Sequence, residues 1–206
     1  MAKASELVAR MAIVTGIEAV TLTRYARFAR EGGYLSQYGR GTSAAHMKPE
    51  DVANMLCCIL ANDVAQEAPK QIERIKTMRV DSRSADHIDN RHLNPEQDAV
   101  LQELLPVVFD REHTLHEMLL ALVNLSLKDT DRFVRRFGES AVYFTSRDYE
   151  AFVNFEISFL GSTLSHTGFS FHYDRGAQGN VLSEFYKQEI TLTFEGIARI
   201  SEVLTG

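Results

Sequence analysis

Arg24, Arg27 and Arg30 recur every three residues, with Thr21 and Thr23 just ahead of them. On a helix this spacing keeps the guanidinium groups on one broad stripe that drifts slowly around the axis. Such a stripe suits nucleic acid. Guanidinium groups donate to phosphate oxygens and guanine edges, and small hydroxyls near the helix start can approach the bases. The order of the residues assigns Thr21, Thr23 and Arg24 to the major groove and Arg27 and Arg30 to phosphates. Further along, Arg40 stands between Gly39 and Gly41, after Tyr34 and Tyr38. Glycines let a loop lie close to a backbone while Arg40 reaches a phosphate or the minor groove, with Tyr38 beside it. The bland alternative is an amphipathic helix with a solvated arginine face.

Other reactive side chains form weaker patterns. Asp86, His87, Asp89 and His92 sit in a polar stretch where composition alone produces such clusters, so no metal site is expected there. His113 and His116 are spaced by three, with Glu117 adjacent, but a third ligand is missing and they read as surface or boundary residues. The vicinal Cys57 and Cys58 fall inside a helical pattern and read as packing. Ser170, His172 and Asp174 would share one face of a strand, about 6–7 Å apart at neighbouring steps, too far for a hydrogen-bonded triad. No nucleophile elbow, phosphate loop, dinucleotide fingerprint or zinc-protease motif occurs. The chain therefore reads as a non-enzyme without cofactor or metal.

The elements that position these residues follow from spacing. Ser5 and Glu6 can open a first helix, with Leu7, Val8, Met11 and Val14 on its apolar face. Thr15-Gly16 ends it, and a second helix runs from near Glu18 to Gly32-Gly33. A short helix, a tight turn and a second helix make a helix-turn-helix pattern. Lys48-Pro49-Glu50-Asp51 opens a third helix, whose apolar face is Val52, Met55, Leu56, Ile59 and Leu60. Residues 79–95 read as a polar linker. Helices are predicted over 97–108 and 112–127, the second continuing through 129–137 after a break. Period-2 alternation then predicts strands over 152–159, 169–173 and 189–195, joined by glycine-containing turns. A docking helix closes the pattern at 197–204.

The run Arg27-Phe28-Ala29-Arg30-Glu31-Gly32-Gly33, followed by Tyr34-Leu35, resembles the end of the recognition helix in winged helix-turn-helix regulators. Arg24-Tyr25-Ala26-Arg27 and Gly39-Arg40-Gly41-Thr42-Ser43-Ala44-Ala45-His46 are similar to small proteins of bacterial phages and prophages. The resemblance covers residues 5–60. It implies a DNA-binding transcriptional regulator whose wing follows the second helix.

Composition agrees with such a chain. An apolar fraction of 45% and a charged fraction of 24% are ordinary for a globular protein, and two adjacent cysteines exclude a disulfide framework. Residues 1–49 hold seven bases against three acids, +4, while the whole chain is −6, leaving −10 for the remainder. Neither a membrane span nor a signal peptide is visible, which places the protein in the cytoplasm. The expected fold is α+β: a helical (winged) helix-turn-helix module over 1–66, a helix and polar linker over 67–96, and a domain over 97–206. That last domain would pack its helices on a small antiparallel sheet, for oligomerisation or a ligand. The expected partner is double-stranded DNA, bound by a homo-oligomer, with a dimer favoured because one helix reads only a few base pairs. Two other classes fit the same residues. One is a packaging component resembling a terminase small subunit; the other is a phage module that binds a host defence protein.

Overall fold

A computed structural model describes residues 2–37, 46–61, 64–78, 113–137, 139–147, 150–156, 158–159, 162–163 and 188–205, with the single positions 95 and 102. Apart from positions 95 and 102, the expected linker at 79–95 and helix at 97–108 lie outside the described residues, as do residues 38–43 of the expected loop, the strand at 169–173, the Asp86–His92 cluster and Ser170, His172 and Asp174.

The chain begins with the predicted pair of helices. α1 spans Ala4–Thr15 and buries Leu7, Val8 and Met11. Its start is closed by Glu6 rather than Ser5: the Lys3 N–H donates to Glu6 Oε2 at 2.7 Å, and Ser5 is exposed within the first turn. Gly16 ends it at φ 70°, with its N–H on the Ala12 carbonyl. α2 spans Ala19–Glu31 and buries Leu22, Tyr25, Ala26 and Ala29. It ends at Gly32-Gly33, where Gly33 takes φ 83°. Gly32 is needed for a different reason, since a Cβ there would stand 2.8 Å from Pro69 Cγ.

α3, Pro49–Ala61, is the centre of the molecule. Every residue from Asp51 to Leu60 is buried, on all faces of the helix. The predicted apolar face is therefore only half of what the helix hides. α2 and α4 (Ala68–Thr77) cover one side, and α5 (Leu115–Lys128), from beyond the polar stretch, covers the other. α5 starts on a reciprocal cap: the Glu117 N–H donates to Thr114 Oγ1 at 3.2 Å, and the Thr114 N–H to Glu117 Oε2 at 2.6 Å. α6 (Thr130–Phe137) turns two phenylalanines inward. α7 (Phe194–Ser201) lies against α1, α5 and α6. Gly196 of α7 allows that approach, with room for a Cβ only 3.2 Å from Val14 Cγ1.

The α+β expectation is corrected by this arrangement. The described chain is mostly helical, with seven helices packed on one another rather than on a sheet. One buried cluster runs from Leu7 in α1 through α3 to Ile200 in α7, across the boundaries expected at 66 and 96. β1 (Ala141–Arg147), not expected from the sequence, pairs antiparallel with β2 (Glu150–Glu156) and with β5 (Gln188–Thr193). The alternation read as one strand over 152–159 falls on two elements: β2 runs to Glu156, and the short β3 (Ser158–Phe159) pairs instead with β4 (Ser162–Thr163). Of the strand side chains that are described, Ala141 and Leu192 are buried. Alternation marks a half-covered strand, but it does not say what covers it. Nor is a two-strand wing present after α2 among the described residues.

A common core has a measurable consequence. Met55→Ala in α3 is expected to cost about 2–5 kcal/mol, the range for truncating a buried methionine. It should lower a single urea transition seen alike by far-UV and tyrosine signals. Two transitions, with only one of them shifted, would show separate folding units.

Candidate nucleic-acid interface

The inward face of α2 repeats at Leu22, Tyr25, Ala26 and Ala29, and its outward face at Val20, Thr23, Arg24, Arg27 and Glu31. Both sets follow the spacing of one helical stripe. The outward stripe thus brings together three of the sequence-predicted residues, Thr23, Arg24 and Arg27, all exposed. Thr21 and Arg30 do not join it. Each is half-buried, and they lie on opposite flanks, because successive residues turn 100° about the axis. Tyr38 and Arg40 lie outside the described residues.

Two members of the stripe were not expected. Val20 is 55% exposed, at the end nearest the turn. Glu31 forms an ion pair with Arg27, Nε to Oε1 at 2.8 Å, which raises the guanidinium pKa still further. Counting positions at i, i+3, i+4, i+7 and i+11 from Val20 would have found both. Arg27 also lies over the Phe28 ring, 5.2 Å from its centroid. The Thr23 hydroxyl donates to its own helix at the Ala19 carbonyl, 2.7 Å away. An oxygen with two lone pairs remains able to accept there.

The chain leaving α2 is pinned by polar groups of α3. Asp51 accepts from Ser36 N–H at 2.7 Å, Ser36 Oγ at 2.8 Å and Lys48 N–H at 2.7 Å, so its buried carboxylate ties both ends of the segment containing Arg40 to the start of α3. Asn54 Nδ2 donates to the Tyr34 carbonyl at 2.7 Å, and its Oδ1 lies 2.9 Å from His116 Nε2. Because the amide orientation is set by the Tyr34 carbonyl, Oδ1 is an acceptor and His116 Nε2 carries the hydrogen. Gln37 Nε2 donates to the Arg30 carbonyl. The Tyr34 hydroxyl donates to Glu73 Oε1 at 2.6 Å, and this bond, more than its burial, pushes the phenol up to about 12.

A cleft of about 510 Å³ opens beside this segment, lined among others by Tyr34, Ser36, Gln37, Lys48, Asp51 and Lys76. Lys76 and Asp51 are already engaged there. Lys76 Nζ sits 3.8 Å from Glu50 and 5.2 Å from the Tyr34 ring centroid, and Asp51 holds the three hydrogen bonds given above.

His116 corrects the reading of the helical histidine pair as surface or boundary residues. It is 6% exposed and holds α5 to α3 through Asn54. Burial first, and then Lys76, lower its pKa from the ordinary 6.5, against Glu50, Glu117 and Glu73, which act the other way. Cys57 and Cys58 are buried, as packing residues should be. Burial pushes the Cys58 thiol up to about 12 and Cys57 well above its usual range, so neither is a ready nucleophile. Among the described residues no three His, Cys, Asp or Glu side chains converge as a metal site, and no helix is long and apolar enough to cross a membrane. Compared with family models, curated proteins and solved structures, the chain matches none.

The lowered His116 pKa gives stability a defined pH slope. Above 6.5 the imidazole is neutral in both states and its contribution is fully present. As pH falls below 6.5, the unfolded chain takes up a proton that the folded chain resists, and stability is lost until the folded pKa is passed. His116→Gln should flatten this loss, by up to about 1.4 kcal/mol per pH unit in the affected window. Parallel pH profiles for the two proteins in urea titrations would remove His116 from the account.

Proposed function

We propose that the protein binds double-stranded DNA through the outward stripe of α2 and works as a transcriptional regulator of the phage type, as a homo-oligomer in the cytoplasm. The observation that carries the reading is the division of α2 into two faces. One is locked into the common core by Leu22, Tyr25, Ala26 and Ala29. The other offers Thr23, Arg24 and Arg27 to solvent. A helix held in this way loses little freedom on binding, so its donors are placed before the ligand arrives. The Arg27–Glu31 pair is no obstacle. An exposed i,i+4 pair is weak in water, and a phosphate oxygen offers the same charge-assisted bond.

Thr23 and Arg24 stand nearer the start of the helix and reach base edges in this reading, while Arg27 holds a phosphate. Thr21 and Arg30, on the flanks, meet the sugar-phosphate walls. One such helix reads only a few base pairs, which is why a second copy is part of the proposal. The regulatory role rests on the resemblance of residues 5–60.

Arg24→Ala with Arg27→Ala is expected to weaken duplex binding and to lower the slope of log K against log salt by about 0.9 for each phosphate no longer neutralised. Fluorescence anisotropy at two salt concentrations, with competitor DNA, reads both quantities. Unchanged binding would sink the assignment. A solution mass corresponding to a dimer fits a regulator, whereas a ring of eight or more subunits points to packaging.

A further inference from the structure

The second half of the chain, acidic as a whole, carries a basic face of its own. Lys128 ends α5, and Arg132, Arg135 and Arg136 follow on α6, against Asp129 and Asp131. Lys128, Arg132 and Arg135 are exposed and Arg136 is half-exposed. Asp129 is committed to the start of α6, where its Oδ1 accepts the Arg132 N–H at 3.0 Å. The three arginines stand at i, i+3 and i+4, on one side of the helix. The other side is anchored. Phe133 and Phe137 are buried with ring centroids 5.5 Å apart, and Phe133 stacks on Phe194 of α7 at 5.9 Å. Arg135 Nε donates back to the Asp131 carbonyl at 3.2 Å, and Arg132 and Arg136 have interactions of their own, so the cations belong to a well-placed helix.

Position matters as much as charge. α2 packs on α1, α1 on α7, and α7 on α6. The two basic helices therefore belong to one packed row. A duplex repeats every ~34 Å, and its two strands together present one charge per ~1.7 Å of axis.

We infer that α6 is a second contact for the DNA, gripping the phosphate backbone with Arg132, Arg135 and Arg136 while α2 meets the grooves. The inference rests on the DNA reading above. Guanidinium groups match phosphate oxygens in a paired, planar geometry. An anionic membrane is the poorer fit. A helix that lies on lipid needs an exposed apolar face, and among the described residues the exposed large apolar ones are Ile13, Val20 and Val64, none of them on α6.

The test uses the whole chain and a labelled 30-base-pair duplex, with anisotropy measured at several salt concentrations. Arg132→Gln with Arg135→Gln should weaken binding at least tenfold and lower the salt slope by about 1.8, that is 0.9 for each phosphate released. Both side chains are exposed, so an unchanged thermal midpoint is expected. Arg24→Gln with Arg27→Gln reports on α2 separately. If the α2 variant binds weakly and the α6 variant binds like the wild type, the inference is overturned and the DNA reading stands. If only the α6 variant binds weakly, the inference stands and the assignment to α2 falls. A wild-type chain that ignores DNA at low salt, or that prefers phosphatidylserine vesicles, overturns both.

Discussion

α3 has no face suited to water. From Asp51 to Leu60 its side chains are hidden on every side, so the chain is stable only when elements from both of its halves close around it. A helix buried on every face belongs at the centre of a packed body. That requirement draws α5 across from beyond residue 112 and brings α7, near the end of the chain, onto α1. Asn54 sets how these parts meet. Its amide joins the Tyr34 carbonyl on one side and His116 on the other, and a mismatched arrangement would leave buried polar groups unpaired at about 1–3 kcal/mol each. The apolar contacts make the body compact, and the Asn54 bonds select one alignment of it.

The outward stripe of α2 is a product of that packing. Its inward residues are consumed by the core, which leaves Thr23, Arg24 and Arg27 on a surface that cannot rotate away. Asp51 does the same for the chain beyond α2, holding Ser36 and Lys48 to one carboxylate. Rigid support beneath and exposed donors above are what a recognition surface needs. In the neighbouring cleft, Lys76 already faces Glu50 and the Asp51 carboxylate is taken up by Ser36 and the Lys48 N–H.

Net charge describes this molecule poorly. The sum of −6 conceals two basic helices, one in each half of the chain. A polyanion responds to the local arrangement of guanidinium groups within a Debye length of about 8–10 Å, so acids elsewhere on the chain weigh little at either face.

Much of the helical layout was legible in the residues themselves. The repeat at Leu7, Val8 and Met11, the stops at Gly16 and Gly32-Gly33, and the Pro49 start are local signals that act within a few residues. What lay beyond them depended on distant partners. The spacing of Val52, Met55, Leu56 and Ile59 marked one buried face of α3, yet Ala53, Asn54 and Cys57 are buried too, because α5 arrives from far along the chain. The same helix turned His116 from a boundary residue into a link of the core. The alternation at 152–159 and 189–195 indicated extended chain, but not that the helices would pack mainly on one another. Thr21 and Thr23 looked equivalent in sequence, and only the packing of α2 on α1 and α4 put Thr23 on the open stripe and Thr21 on its flank. Periodicity is a property of a single segment, whereas burial is a property of whatever covers it.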